Sequence, residues 1–432
     1  MFLRPASIVP ALLSIAMLIS LLFTSISIAT FAQGDSTPTI AVDEWYLETD
    51  VEWNNPYPRP NTIVGDAIWT VEAATFTSQY PSGFEFSVRV HNDTAPITLA
   101  SVIWSHTPNE LQRIETQNIS ADGQVRIRYR VEGVLPPWVA VNYYWSFVDA
   151  EGNRYRTNWF VGAEYLPNNP ESWTRAESED VIVVAQNTLP DDAIANTLDA
   201  MHQQRETFLQ AWGALLPYKP RVILFGDQRA FNEWLGSTNS SILGLTEPEW
   251  GATIQVLNPD DTLADLTYGT VPHEIAHLYQ FEFVGDRGFP AGSWFTEGNA
   301  TLFELSQMYD YETRIRNIAL EGNLPPLLEN ESFFAMSFGP DNRGRYGYDV
   351  GYTFWRWFIQ EYGLSGHYQL ITKLKEGETR NQALEQITGL SLYEIETRWA
   401  QWLGAESAAP PLIVPSTEYR FPPTATPFPS PR

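Results

Sequence analysis

The chain contains no cysteine. That excludes a disulfide framework, a thiolate metal site and a cysteine nucleophile. Any metal must be held by imidazole and carboxylate. Histidine is scarce too: only His91, His106, His202, His273, His277 and His367 occur in 432 residues. Positive charge is in short supply, with 26 Lys and Arg against 52 Asp and Glu, a formal net charge of −26. The basic footprint that nucleic-acid binding needs is missing. The acidity also disfavours docking on anionic membranes. Long apolar runs are absent after residue 32.

What is present suffices for packed cores, since 44% of residues are hydrophobic and the length implies two or more domains. Residues 1–32 read as an export signal, with Arg4 as the positive region, Ile8 to Phe31 apolar, and Ala32 a small residue suited to cleavage. The apolar run would anchor the chain in a membrane only if it stays uncleaved. The expected location is therefore exported, either secreted or at the cell surface. Residues 33–44 form a polar leader.

Residues 45–166 read as β throughout. Phe84–Val90 and Val125–Val131 alternate apolar and polar residues with period two. Val141–Val148, the turn 149–153 and a strand over Arg154–Val161 make a hairpin. Short strands at this spacing predict an all-β sandwich of immunoglobulin or fibronectin type. Residues 167–178 read as a linker by composition. From 179 to 404 strands at 181–184, 221–225 and 253–257 alternate with helices over Asp191–Leu216 and Gln228–Leu235, and a helical, aromatic half follows. Residues 405–432 are a Pro- and Thr-rich extended tail.

The chemistry concentrates in His273-Glu274-Ile275-Ala276-His277. Residues four apart share a helical face, so the two imidazoles point at one spot, with Glu274 placed to act as general base. Pro272 beside His273 predicts a kink in a helix running from about 262 to 284. A catalytic zinc takes three protein ligands, and Glu297 in Trp294-Phe295-Thr296-Glu297-Gly298 is the best third. Nineteen residues separate it from His277, enough to end one helix and enter another. Glu304 falls seven residues on, on the same helical face, placed to accept the free N–H of a ligating histidine. A metzincin would need Gly at 280 and His at 283, where this chain has Gln280 and Phe283.

His273-Glu274-x-x-His277 followed by Trp294-x-x-Glu297-Gly298-x-Ala300 resembles the gluzincins of the peptidase MA-like superfamily. The likeness spans about residues 180–403 and is specific over 270–304. It implies a multidomain chain: the β sandwich, then an α+β zincin-like metallopeptidase domain with a helical C-terminal half. It also implies Zn2+ on His273, His277 and Glu297, Glu274 as base, and a peptide or protein substrate. Tyr348-Asp349-Val350-Gly351 is similar to the Tyr-x-x-Gly of the aminopeptidase branch, which makes Tyr348 the residue that steadies the oxyanion, with Tyr346 and Tyr352 as rivals. In related enzymes a strand ahead of the metal helix, here 253–257, walls the cleft. Glu249 stands where that branch reads a free amino terminus, although its G-x-M-E-N motif is absent.

Two other function classes compete. One is an extracellular binding or adhesion protein whose peptidase half is idle; the other is a zinc hydrolase of non-peptide bonds. His91 and His106 have no ligand partners in sequence, His202 lies in a solvated helix face and is given no role, and His367 is expected at the surface. Arg343-Gly344-Arg345 is a basic loop suited to gripping a carboxylate. The sequons at Asn239 and Asn299 are not read as glycan sites.

Overall fold

The computed structural model describes residues 62–405 except 109–110, 238–242, 258–260, 286–287, 291–292, 308–309, 325 and 329–345. The export signal, the leader, residues 45–61, Asn239, the Arg343–Arg345 loop and the tail from 406 lie outside the described residues. A β-rich N-terminal region precedes a helical C-terminal half. Among the described residues no helix is long and apolar enough to cross a membrane.

Among the described residues nine strands build the first region: β1 (Thr62–Val64), β2 (Trp69–Gln79), β3 (Gly83–Asn92), β4 (Ile97–Ser105), β5 (Gln112–Thr116), β6 (Gln124–Arg130), β7 (Ala140–Asp149), β8 (Arg154–Arg156) and β9 (Phe160–Glu164). One sheet runs β1-β8-β7-β4-β5, with β9 also on β7; the other runs β2-β3-β6. Period-two patterning decides the faces. Phe84, Phe86, Val88 and Val90 of β3 share a buried cluster with Val102, Trp104, Val141, Tyr143 and Trp145 from the other sheet. Tyr144, one residue out of phase, packs behind with Ile103 and Trp159. The single strand expected at 154–161 is divided into β8 and β9. They pair with opposite ends of β7, because Thr157 turns inward to bond the Trp145 backbone.

A five-stranded sheet follows, ordered β10 (Trp173–Glu177), β11 (Ile182–Gln186), β12 (Arg221–Phe225), β14 (Ala252–Val256), β13 (Gly244–Glu247). β10 lies within the stretch read as a linker; it pairs antiparallel with β11. The β11–β12 and β12–β14 pairs are parallel. The strand at 252–256 is interior, so it does not form the sheet edge. Gly251, with φ of 59°, turns the chain so that β13 pairs antiparallel along β14 and takes that edge. This sheet is a middle layer, with apolar residues on both faces. Val183, Ala185, Val222 and Leu224 face the helices, whereas Ile182, Val184, Ile223 and Phe225 join the core of the N-terminal region. Buried Arg221 crosses that junction, donating to the Trp138 carbonyl and to Glu164 at 2.7 Å each.

On the other face lie α1 (Asp192–Trp212), α3 (Val271–Phe283), α4 (Trp294–Thr301), α5 (Tyr311–Leu320), α6 (Tyr346–Lys375, broken at Gly363), α7 (Arg380–Thr388) and α8 (Leu392–Leu403); α2 (Gln228–Leu235) follows β12. Ser391 caps α8 through a reciprocal capping box with Glu394. A π-helical turn at Asp265–Thr270 runs straight into α3, and Pro272 explains it. Proline has no N–H to give the carbonyl four residues back, that of Tyr268. The freed carbonyl accepts instead from the amides of Leu305 and Ser306, at 2.7 and 3.1 Å. The proline thus leaves a docking point for the segment just after Glu304.

α4 crosses α6 at two glycines. A Cβ on Gly298 would lie 2.1 Å from the Gly351 carbonyl carbon, and one on Gly351 would lie 2.0 Å from the Trp294 oxygen. No side chain fits there, so the helices touch backbone to backbone. Gly351→Ala should cost at least the ~1–3 kcal/mol typical of overpacking, read as a lowered midpoint in denaturant with the slope unchanged.

Candidate metal centre

Three side chains from two helices converge. His273 and His277, one turn apart on α3, stand with ring centroids 5.0 Å apart. Glu297, in the first turn of α4, is 1% exposed and reaches both: its Oε2 lies 3.4 Å from His273 Nε2 and 3.5 Å from His277 Nε2. α4 starts where it does because Ser293 caps it, accepting from the Thr296 amide.

The donor set fits a zinc ion on two counts. Ligand atoms about 2 Å from a tetrahedral ion stand about 3.4 Å from one another, and Glu297 Oε2 stands 3.4 and 3.5 Å from the two imidazole nitrogens. Glu297 Oε1 is buried and has no hydrogen-bond partner, which a buried carboxylate oxygen tolerates only at a cost. This His-His-Glu group could hold a metal ion.

Electrostatics point the same way. Burial disfavours charge on His273, but Glu297, Glu304 and Glu274 overcome it and push the imidazole up to about 10. His277 is also raised, Glu297 outweighing its burial. Burial alone would raise Glu297; the two imidazoles hold it far below the usual carboxylate range. These groups therefore share protons that an entering cation must displace. Protons held on the raised imidazoles compete with the cation, so metal affinity should rise with pH through neutrality. Calorimetric titration in buffers of different ionisation enthalpy should show proton release.

Each imidazole is oriented by its other nitrogen. His273 Nδ1 donates to Glu304 Oε1 at 2.9 Å, and Glu304 Oε2 accepts from the Tyr311 hydroxyl at 2.7 Å. Glu304 is not on the Glu297 helix, contrary to the face-sharing expectation. α4 ends at Thr301, tighter i→i+3 bonds follow, and the Tyr268 carbonyl fixes the turn that aims Glu304 back. His277 Nδ1 donates to Gln280 Oε1 at 2.8 Å.

Glu274 accepts a 2.5 Å hydrogen bond on Oε2 from Thr246 Oγ1 of β13. A hydroxyl has one proton, and a carboxylate can only accept. Thr246 therefore donates to Glu274 and accepts from Thr253, which itself accepts from Gln255 Nε2. This file of side chains between two strands pins one oxygen of Glu274. Glu249, singled out from the sequence, is exposed on a short 3-10 turn; its half-buried neighbour Glu247 is pushed up to about 7 by burial and by Glu249.

Of the three tyrosines, Tyr348 lays its ring against His273, centroids 5.9 Å apart. Tyr346 is buried under the Arg314 guanidinium, and the Tyr352 hydroxyl accepts from Gln307 and Arg356. The remaining histidines stay apart from the centre. His91 is exposed, and so is His202. Half-buried His106 bonds the Ala140 carbonyl and is lowered to about 4 by desolvation. His367 is not at the surface: it is fully buried among Trp212, Phe303 and Trp355. Thr246, Gln280, Asn299, Tyr311 and His367 carry no motif signal, so sequence reading passed over their roles.

No protein-family profile matches the chain, and no curated protein does. Solved structures similar to it include an aminopeptidase A from Legionella pneumophila in complex with aspartic acid, at 11% identity and TM-score 0.34, covering 81% of this chain and 51% of that one. Leukotriene A4 hydrolase from Saccharomyces cerevisiae matches at 11% identity and TM-score 0.33, covering 79% of this chain and 69% of that one. A two-domain M1 zinc metallopeptidase bound to L-arginine matches at 14% identity and TM-score 0.31, covering 79% and 96%. The chain spans about half the length of the Legionella enzyme. At these TM-scores the functional reading rests on the chain's own geometry.

Proposed function

We propose that this protein is a gluzincin-type zinc metallopeptidase that hydrolyses peptide bonds. The observation that carries the reading is the convergence of His273, His277 and the unsatisfied buried carboxylate of Glu297 beside a general base already held in place. His273, His277 and Glu297 would hold zinc, which when bound polarises a scissile carbonyl and lowers the pKa of an attacking water. Glu274 removes that water's proton at its unpinned oxygen and delivers it to the leaving amine. The Tyr348 hydroxyl donates to the developing oxyanion. Glu304 and Gln280 keep the imidazoles turned so that each Nε2 faces the centre. Among the described residues β13 has no strand on its outer side, so an extended peptide can add to it by backbone pairing and lie across Glu274.

The reading extends to organisation. Residues 1–32 direct export, 45–166 form an immunoglobulin- or fibronectin-like sandwich, and 179–404 form the zincin-like domain, which acts outside the cytoplasm on peptides or proteins. The test is one zinc per purified chain together with peptide hydrolysis that disappears on chelation and returns with zinc. Bound zinc with no cleavage across a diverse peptide library would count against a peptidase.

A further inference from the structure

We propose that a buried chain of four hydrogen bonds, running from the Ala211 carbonyl through His367, Asn299 and Gln280, decides which nitrogen of His277 carries the proton and so leaves Nε2 bare for the metal centre. The inference rests on reading that centre as a zinc site. It concerns four helices and three positioning residues, none of which touches substrate.

The two imidazoles are not held alike. The partner of His273 is the carboxylate of Glu304, which can only accept. That contact by itself puts the proton on Nδ1 and leaves Nε2 for the metal. The partner of His277 is the carboxamide of Gln280, which could present either its oxygen or its NH2 group. With the oxygen forward, His277 carries its proton on Nδ1 and ligates through Nε2. With the NH2 forward, the proton is driven onto Nε2, the atom that has to bind.

The far end of the chain removes the ambiguity. Ala211 lies in the last turn of α1, where helix carbonyls lack partners within the helix. Its oxygen accepts from His367 Nδ1 at 2.8 Å. A carbonyl cannot donate, so Nδ1 carries the proton. His367 is enclosed, and burial holds it at about 4, so it is neutral and its Nε2 is bare. Bare Nε2 accepts from Asn299 Nδ2 at 2.9 Å. Asn299 Oδ1 is thereby turned toward Gln280, and accepts from Gln280 Nε2 at 3.1 Å. The same Nε2 donates to the Thr296 carbonyl at 2.9 Å. With both its N–H groups committed, Gln280 can offer His277 only its oxygen, at 2.8 Å. Two backbone oxygens, those of Ala211 and Thr296, fix every proton in the chain from its two ends. Gln280, Asn299 and His367 are each buried, so no bulk water substitutes for a lost link.

The test uses the full chain and three forms: wild type, His367→Phe and His367→Gln. Phenylalanine suits the aromatic surroundings but neither donates nor accepts. Glutamine can donate to Ala211 and accept from Asn299, restoring the direction of the chain. Zinc affinity is read by competition with a chromophoric chelator. The His277 Nδ1 proton is followed by NMR exchange with water in the zinc-loaded protein. The phenylalanine variant should bind zinc about 10-fold more weakly, at the lower end of the 10–100-fold cost of losing an outer partner of a ligand. Its imidazole proton should exchange faster. Glutamine should recover most of both, which a merely space-filling role for His367 would not produce. If His367→Phe does not fold, Asn299→Leu, of closely similar shape, cuts the chain one link nearer the centre and carries the same expectations. Unchanged zinc affinity and proton exchange in a cut variant would overturn the chain. A wild type that binds no zinc would overturn the reading of the centre instead.

Discussion

Glu274→Gln should reduce kcat/KM for peptide hydrolysis by about 10²–10⁴-fold, the range general acid–base catalysis supplies, while zinc content stays at one per chain. The substitution is nearly isosteric. Thr246 can still donate its proton to the amide oxygen, as it does to Glu274 Oε2 at 2.5 Å, so position is kept and only basicity is lost. The loss should fall on kcat, with KM little altered, because the base acts on a proton in flight and not on bound substrate. Steady-state kinetics with metal analysis on the same sample checks both halves. A glutamine variant with wild-type kcat would remove Glu274 from the mechanism and favour a non-peptidase role for the domain.

Glu297→Gln should weaken zinc binding by more than the 10–100-fold that loss of an outer partner costs, because a directly ligating charge disappears. The change keeps the shape of α4 and its Ser293 cap. It removes the carboxylate that both imidazoles face at 3.4 and 3.5 Å, and with it the main attraction that keeps His277 raised. The pH at which zinc is taken up should also move down, since both imidazoles lose the Glu297 charge that helps to hold their protons, while Glu304 and Glu274 still act on His273. Dialysis against a zinc buffer at several pH values separates this outcome from a general loss of fold. Zinc retained at one per chain at every pH would show that the ligand set is not this one.

Some features were legible in the sequence because they depend on short-range periodicity. Phe84–Val90 and Val125–Val131 alternate, and the strands fall there. The helix at 228–235 starts and stops at its expected residues. His273 and His277 share a face because any helix through them would make it so. The break at Pro272 was legible too, but its form was not. The missing N–H goes with a widened π-turn whose Tyr268 carbonyl is free to accept from a segment more than thirty residues downstream.

Other features depend on which elements meet. β13 has a weak pattern of four residues, and it became the sheet edge only because β14 was there to pair with. Glu304 looked like a helix-face partner of Glu297, yet it reaches His273 from beyond the helix end. His367 sits in a polar-looking stretch, Ser365-Gly366-His367-Tyr368, and sequence gives no sign that Trp212, Phe303 and Trp355 close over it.

The sequence by itself determined the chemical elements: two imidazoles and a base at helical spacing, a carboxylate downstream, no thiol and little positive charge. Tertiary packing decided how they are oriented and held. Thr246 reaches Glu274 from a strand, and His367 reaches toward His277 through two amides, over separations of 28 and 90 residues in the chain. Local propensity extends only over a few residues, so contacts of that length exist only once a sheet and four helices have buried their apolar faces together.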